Sequence, residues 1–115
     1  KRGYPCYNLP TFDATISPET PVPGQNATIN VSGTLKQDIK ENGMLIIGFQ
    51  YVDCVPLGVY PTTPAPQTKA GNPFNITIEV LVPPTFASKE APYYIHAFIE
   101  NGYEPIGCVI AYNIG

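Results

Sequence analysis

The chain has 115 residues, is 43% hydrophobic and carries 6 basic against 9 acidic side chains, a net charge of −3. That length suits one domain with a real core, and that apolar share excludes a disordered chain. With no basic stripe a nucleic-acid partner is excluded, and no run of 18 apolar residues offers a membrane-spanning helix.

The elements follow in chain order, with residues 1–5 read as a tail and 1–115 as a single domain. Phe12, Ala14 and Ile16 mark a first strand, closed by the proline-rich turn at 18–24. In the next, Ala27, Ile29 and Val31 alternate with Asn26, Thr28, Asn30 and Ser32, the period of a half-buried strand. Leu35 to Asn42 (LKQDIKEN) is the best helix candidate, a single turn or else a polar loop. Met44 to Tyr51 is apolar on both faces, with Leu45, Ile47, Phe49 and Tyr51 on one side. A weak strand is expected over Val55 to Tyr60. Phe74, Ile76, Ile78, Val80 and Val82 then alternate with Asn75, Thr77 and Glu79. Tyr93, Ile95, Ala97 and Ile99 oppose Tyr94, His96 and Phe98, and Gly107 to Ile114 closes the chain. Seven short strands punctuated by 14 prolines and 10 glycines predict an all-β, immunoglobulin-like antiparallel β-sandwich.

Asn26, Asn30 and Asn75 each open an Asn-x-Ser/Thr triplet, the acceptor pattern for N-glycosylation. All three fall on predicted outward faces, so the expected protein is a secreted glycoprotein. Only 13% of the residues are charged, about half the usual share, and attached sugars would help solvate such a surface. The sequence contains no signal peptide, so secretion implies a start after cleavage. Three cysteines, Cys6, Cys54 and Cys108, imply one disulfide and one left-over thiol. All three pairings are open, and Cys6 with Cys108 would close the longest loop, constraining the unfolded chain by roughly 4–5 kcal/mol.

No constellation for catalysis emerges. His96, the one histidine, is expected as a partly exposed strand residue. Ser17, Ser32 and Ser88 lie in no nucleophile-elbow pattern. The acidic residues are scattered without calcium-loop spacing, the cysteine spacings do not match a zinc site, and no glycine loop would cradle phosphate. The expectation is a protein that is not an enzyme and uses no cofactor.

Three segments together resemble the ML lipid-recognition family. They are ISPETPVPGQNATINVSGTL (Ile16 to Leu35), AGNPFNITIEVLVP (Ala70 to Pro83) and PYYIHAFIENGYEPIGCVIA (Pro92 to Ala111). The likeness covers most of residues 6–115 and is nearest to the fungal phosphatidylglycerol/phosphatidylinositol transfer proteins. The resemblance implies two splayed sheets with an apolar cavity between them, holding a phospholipid, sterol or fatty acid by its tail. It also implies a Cys6–Cys108 disulfide, a monomer, transient membrane contact during transfer, and a secreted or vacuolar/lysosomal location. Carried onto this chain, the lipid-binding set is Ile29, Val31, Leu45, Ile47, Phe49, Tyr51, Phe74, Ile76, Ile78, Val80, Tyr93, Ile95, Ala97, Ile99, Val109 and Ala111, with Lys69 as a rim contact for the head group. The sequence departs from the family at Ala65-Pro66, where members commonly carry a Cys-Pro. Cys54 would then lack its usual partner, and the loop from Cys54 to Gly71 is expected to be freer than in relatives. The alternative is an immunoglobulin-like adhesion or receptor-binding module, a secreted effector with a filled core.

Overall fold

The computed structural model describes Cys6 and residues 9–51, 60–84 and 93–114, with the backbone alone for 50, 51, 93 and 112–114. The strands are β1 (Asp13–Ser17), β2 (Asn26–Thr34), β3 (Gly43–Tyr51), β4 (Thr62–Pro64), β5 (Pro73–Leu81), β6 (Tyr93–Asn101) and β7 (Glu104–Ile114). They form two antiparallel sheets, ordered β1-β2-β5 and β4-β3-β6-β7. The chain is an all-β sandwich, as the period-two pattern predicts.

The register follows from that pattern. Ile29 lies opposite Ile78 and Val31 opposite Ile76 in the three-stranded sheet. Leu45, Ile47 and Phe49 face Ile99, Ala97 and Ile95 in the four-stranded one. A slip of one residue would turn these rungs into solvent, so burial of one face fixes the pairing. β7 carries two register shifts against β6, which leave Ile106 and Ala111 without directly opposed residues. These bulges settle the facing of β7: Val109 sits opposite Ala97, and both Val109 and Ala111 pack against the core.

Of the two readings open for Leu35 to Asn42, the structure takes the loop and not the helix. Leu35 and Ile39 both bury into the core, and Ile39 makes an isolated antiparallel bridge to Thr68. Tertiary burial overrides a helical preference too short to stand alone. The weak strand expected over 55–60 falls, but for Tyr60, outside the described residues, and a short strand not expected from the sequence runs at Thr62–Pro64. β7 begins at Glu104 rather than Gly107, because Asn101 pairs with Glu104 across a two-residue Gly102-Tyr103 turn with Gly102 at φ 62°, the positive φ that tight hairpin turns require at their first central position.

The loop before β5 is also tied down from residue 60 onward. Ala65 N–H donates to the Gly43 carbonyl at 3.0 Å, Gly71 N–H donates to Leu35 at 2.9 Å, and the Ala65 side chain is buried. Cys54 lies outside the described residues.

One end of the sandwich is plugged. Phe12 meets Phe74 edge to face, with ring centroids 5.5 Å apart. A Cβ on Gly107 would stand 2.9 Å from Leu35 Cδ2 and 3.2 Å from the Phe12 ring, so glycine is what lets β7 approach the plug. Beside it, Asn101 spans from β6 to the loop ahead of β3. Its Oδ1 accepts from Lys40 N–H at 2.9 Å and its Nδ2 donates to the Asp38 carbonyl at 2.9 Å.

Two outcomes are expected. Asn101→Ala leaves both backbone groups unpaired and lowers stability by about 2 kcal/mol in urea unfolding; a loss below about 0.5 kcal/mol would mean that water replaces the side chain. Alkylation of the folded protein without reductant modifies Cys54 alone, and label at Cys6 or Cys108 contradicts the bonded pair.

Candidate functional site

The space between the sheets is the first place to look for a ligand. From the three-stranded sheet, β2 contributes Ile29 and Val31, and β5 contributes Phe74, Ile76, Ile78 and Val80. From the other, β3 contributes Leu45, Ile47 and Phe49, and β6 contributes Ile95, Ala97 and Ile99. These expected pocket residues form one apolar cluster, joined at its edge by the partly buried Val109 and Ala111. The side chains of Tyr51 and Tyr93 lie outside the described residues.

The cluster is closed rather than hollow over most of its width. Ile29, Val31, Leu45, Ile47, Ile95, Ala97 and Ile99 expose 0% of their surface, so no water-sized sphere touches them from solvent or from an internal void. The residual exposure is spread: Phe12 and Ile76 expose 6%, Leu35, Ala65 and Phe74 5% and Ile78 9%, while Ala14 and Ile16 of β1 and Val109 and Ala111 of β7 are only partly buried. The β1/β7 edge is fastened by bonds: β1 comes within 8 Å of β7, Cys108 N–H donates to the Pro10 carbonyl at 2.9 Å, and Cys6 is bonded to Cys108. The seam beside β5, the other edge of its sheet, carries no disulfide among the described residues.

Lys69 is not grouped with that interior. With Asp38, Lys40, Gln67 and Thr68 it lines a half-open cleft of about 310 Å³ at the plugged end. Ile39, 1% exposed and part of the core cluster, floors the cleft and separates it from the interior.

The outward faces differ sharply. On β1-β2-β5 the outward row is polar: Asn26, Asn75 and Thr77 are exposed and Asn30 is half-buried. On the four-stranded sheet the outward row of β6 is aromatic. His96 is only 2% exposed there, against the expectation of a partly exposed residue. Its ring stacks on Phe98 with centroids 5.4 Å apart, meets Tyr60 edge to face at 6.1 Å and lies tilted to Tyr94 at 6.3 Å. It covers Gly48, where a Cβ would collide with Nε2. That glycine in the middle of an apolar strand is the one sequence signal that could have placed the ring. His96 Nδ1 has no hydrogen-bond partner among the described residues. Burial lowers its pKa to about 4 and raises that of Tyr60. The imidazole is therefore neutral near pH 7, with no carboxylate shown beside it to make it a base.

No known family model matches the chain, and no curated protein matches it. Among solved structures it is similar to Spo0M, a sporulation control protein from Bacillus subtilis, with 13% identity and a TM-score of 0.53. The match covers 89% of this chain and 48% of that one, so the chain spans about half of Spo0M. At that identity the likeness is one of fold alone. The Cys6–Cys108 disulfide is compatible with an oxidising compartment.

The His96 setting gives a pH dependence. Its folded pKa of about 4 lies below the ordinary 6.5, so the unfolded chain binds the proton more readily. Its stabilising contribution is full above pH 6.5 and is lost as pH falls through 4, by about 3 kcal/mol in all. His96→Phe removes this component, and subtracting the two urea-derived stability profiles between pH 7 and 4 isolates it. Parallel profiles would show the imidazole to be reachable by water.

Proposed function

We propose that this chain is a secreted lipid-binding protein that takes the hydrocarbon part of a phospholipid, sterol or fatty acid between its two sheets. The reading is supported above all by the interior, an apolar layer running from Phe74 to Val80 on one wall and from Leu45 to Phe49 on the other. His96 and Asn101, the buried polar side chains among the described residues, lie outside that cluster. Such a layer offers an acyl chain what water does not, about 0.8 kcal/mol per buried methylene, or on the order of 10 kcal/mol gross for sixteen carbons before ordering costs.

Entry requires the closed core to open. The seam beside β5 is the natural place, because β5 is the edge of its sheet away from β1, and the β1/β7 edge is pinned by the disulfide. The packed side chains must then exchange contacts with each other for contacts with the guest, which opposes binding. In this reading the protein is a carrier, touching membranes briefly to load and unload and working in the secretory path or a vacuolar/lysosomal lumen.

A second reading is favoured by one observation. Seven interior residues with no exposure at all are what a filled-core adhesion or receptor-binding module would have.

Organic-solvent extraction followed by mass spectrometry, together with uptake of fluorescent fatty acid, sterol and phospholipid probes, separates the two. The carrier yields or takes up lipid at about one per chain. Ile78→Lys, placing a charge at the seam, abolishes uptake, while Glu79→Lys on the adjoining exposed position leaves it intact. A folded protein that takes up none of the three probes is the filled-core module.

A further inference from the structure

Two of the three acceptor triplets meet on the outward face of β1-β2-β5. Asn30 stands on the central strand, opposite Thr15 of β1 on one side and Thr77 of β5 on the other. Its Nδ2 donates to Asn75 Oδ1 at 2.7 Å and to Thr77 Oγ1 at 2.9 Å, with a longer contact of 3.4 Å to the Ile76 carbonyl. A side-chain amide has two hydrogens to donate, and both of Asn30's are engaged. Their acceptors are the asparagine and the hydroxyl residue of the other triplet.

We propose that Asn30 and Asn75 form a single glycan site, in which Asn75 carries the sugar and Asn30 stays bare as the clasp between β2 and β5. N-glycosylation breaks an Nδ2–H bond and forms an Nδ2–C1 bond. The C1–O bond to a lipid-linked pyrophosphate donor breaks, and the proton leaves to solvent. Asn75 joins the clasp through its oxygen alone, so losing an Nδ2 hydrogen costs it nothing. The transfer meets the chain before β5 has paired with β2, so selection falls on the product: a sugar on Asn30 would remove one of the two short bonds the fold must then make, and such chains do not reach the folded state. A sugar on Asn30 would also have to rise from the middle of the sheet, between Thr15 and Thr77, whereas Asn75 lies on the edge strand and is exposed. With donor and acceptor atoms 2.7 Å apart, two glycan cores at this place would compete for one volume. Asn26, at the exposed start of β2, is an independent site.

The inference rests on the secretory part of the proposed function and not on lipid binding. The test is secretion of the chain from a eukaryotic host behind a leader peptide, purification of the folded product, and site-resolved mass spectrometry after enzymatic glycan release in heavy-oxygen water. Asn75 is expected to be occupied and Asn30 unmodified. Ser32→Ala deletes the Asn30 triplet while leaving the clasp amide, and changes neither glycan mass nor melting temperature. Asn30→Gln lowers the melting temperature by about 4 °C, with the glycan present or enzymatically removed. A glycan on Asn30 in the folded material, a bare Asn75, or a glycan lost in Ser32→Ala overturns the assignment. Lipid uptake is scored separately and bears on neither result.

Discussion

The wedging of Phe12 between the two sheets is the contact on which the rest of the molecule depends. A three-stranded and a four-stranded sheet each have one apolar face, and neither is stable until it is covered. Phe12 reaches both: its ring packs on Phe74 of β5 and against the backbone of β7 at Gly107. The Cys108–Pro10 hydrogen bond and the Cys6–Cys108 disulfide hold the chain ahead of β1 against β7 at the same edge. Because this fastening sits on one side, the two layers are joined asymmetrically. The covalent tie is at β1/β7, and β5 forms the other edge of its sheet.

The two outward surfaces divide the remaining roles. The β1-β2-β5 face is built mainly from amides and hydroxyls, with Asp13 and Glu79 as charged members, and Asn30 bonds across strands to Asn75 and Thr77. The opposite sheet turns Tyr94, His96 and Phe98 outward and still buries Tyr94 and His96. The low charge content of the chain makes sense in this arrangement: one face is solvated mainly by uncharged polar groups, and part of the other is not solvated at all. A single histidine placed in that second apolar layer becomes an acid-sensitive element without any charged neighbour being needed to shift it.

The strands that could be read directly were those with one buried face. β2 and β5 alternate, and their inward sets came out as the sequence pattern required; β6 kept Ile95, Ala97 and Ile99 inward although Tyr94 and His96 on its other face are buried too. Leu35 to Asn42 was ambiguous because two apolar residues four apart fit a helical turn as well as a loop that dips twice into the core. β7 was harder still, since two bulges break its alternation and shift which residues face in. The burial of His96 depended on Gly48, two strand positions brought together only by the register. Whether the interior is filled or hollow was not legible, because the same aliphatic residues serve both. For Lys69 the order of elements along the chain pointed to a rim, but the pairing of Ile39 with Thr68 sets it on a separate cleft.

The order of strands in the β1-β2-β5 sheet has a consequence for how the chain acquires its shape. Residues 30 and 77 must meet across β2 and β5, whereas β6 and β7 are joined by a turn of two residues. The hairpin can form within microseconds of both strands being present, while the distant pair must first close a long loop, and topologies dominated by such pairings fold in milliseconds to seconds. Until β5 is in place β2 has only β1 to pair with in its sheet, so the order of acquisition runs from the local hairpin to the distant rung and not from the first strand onward.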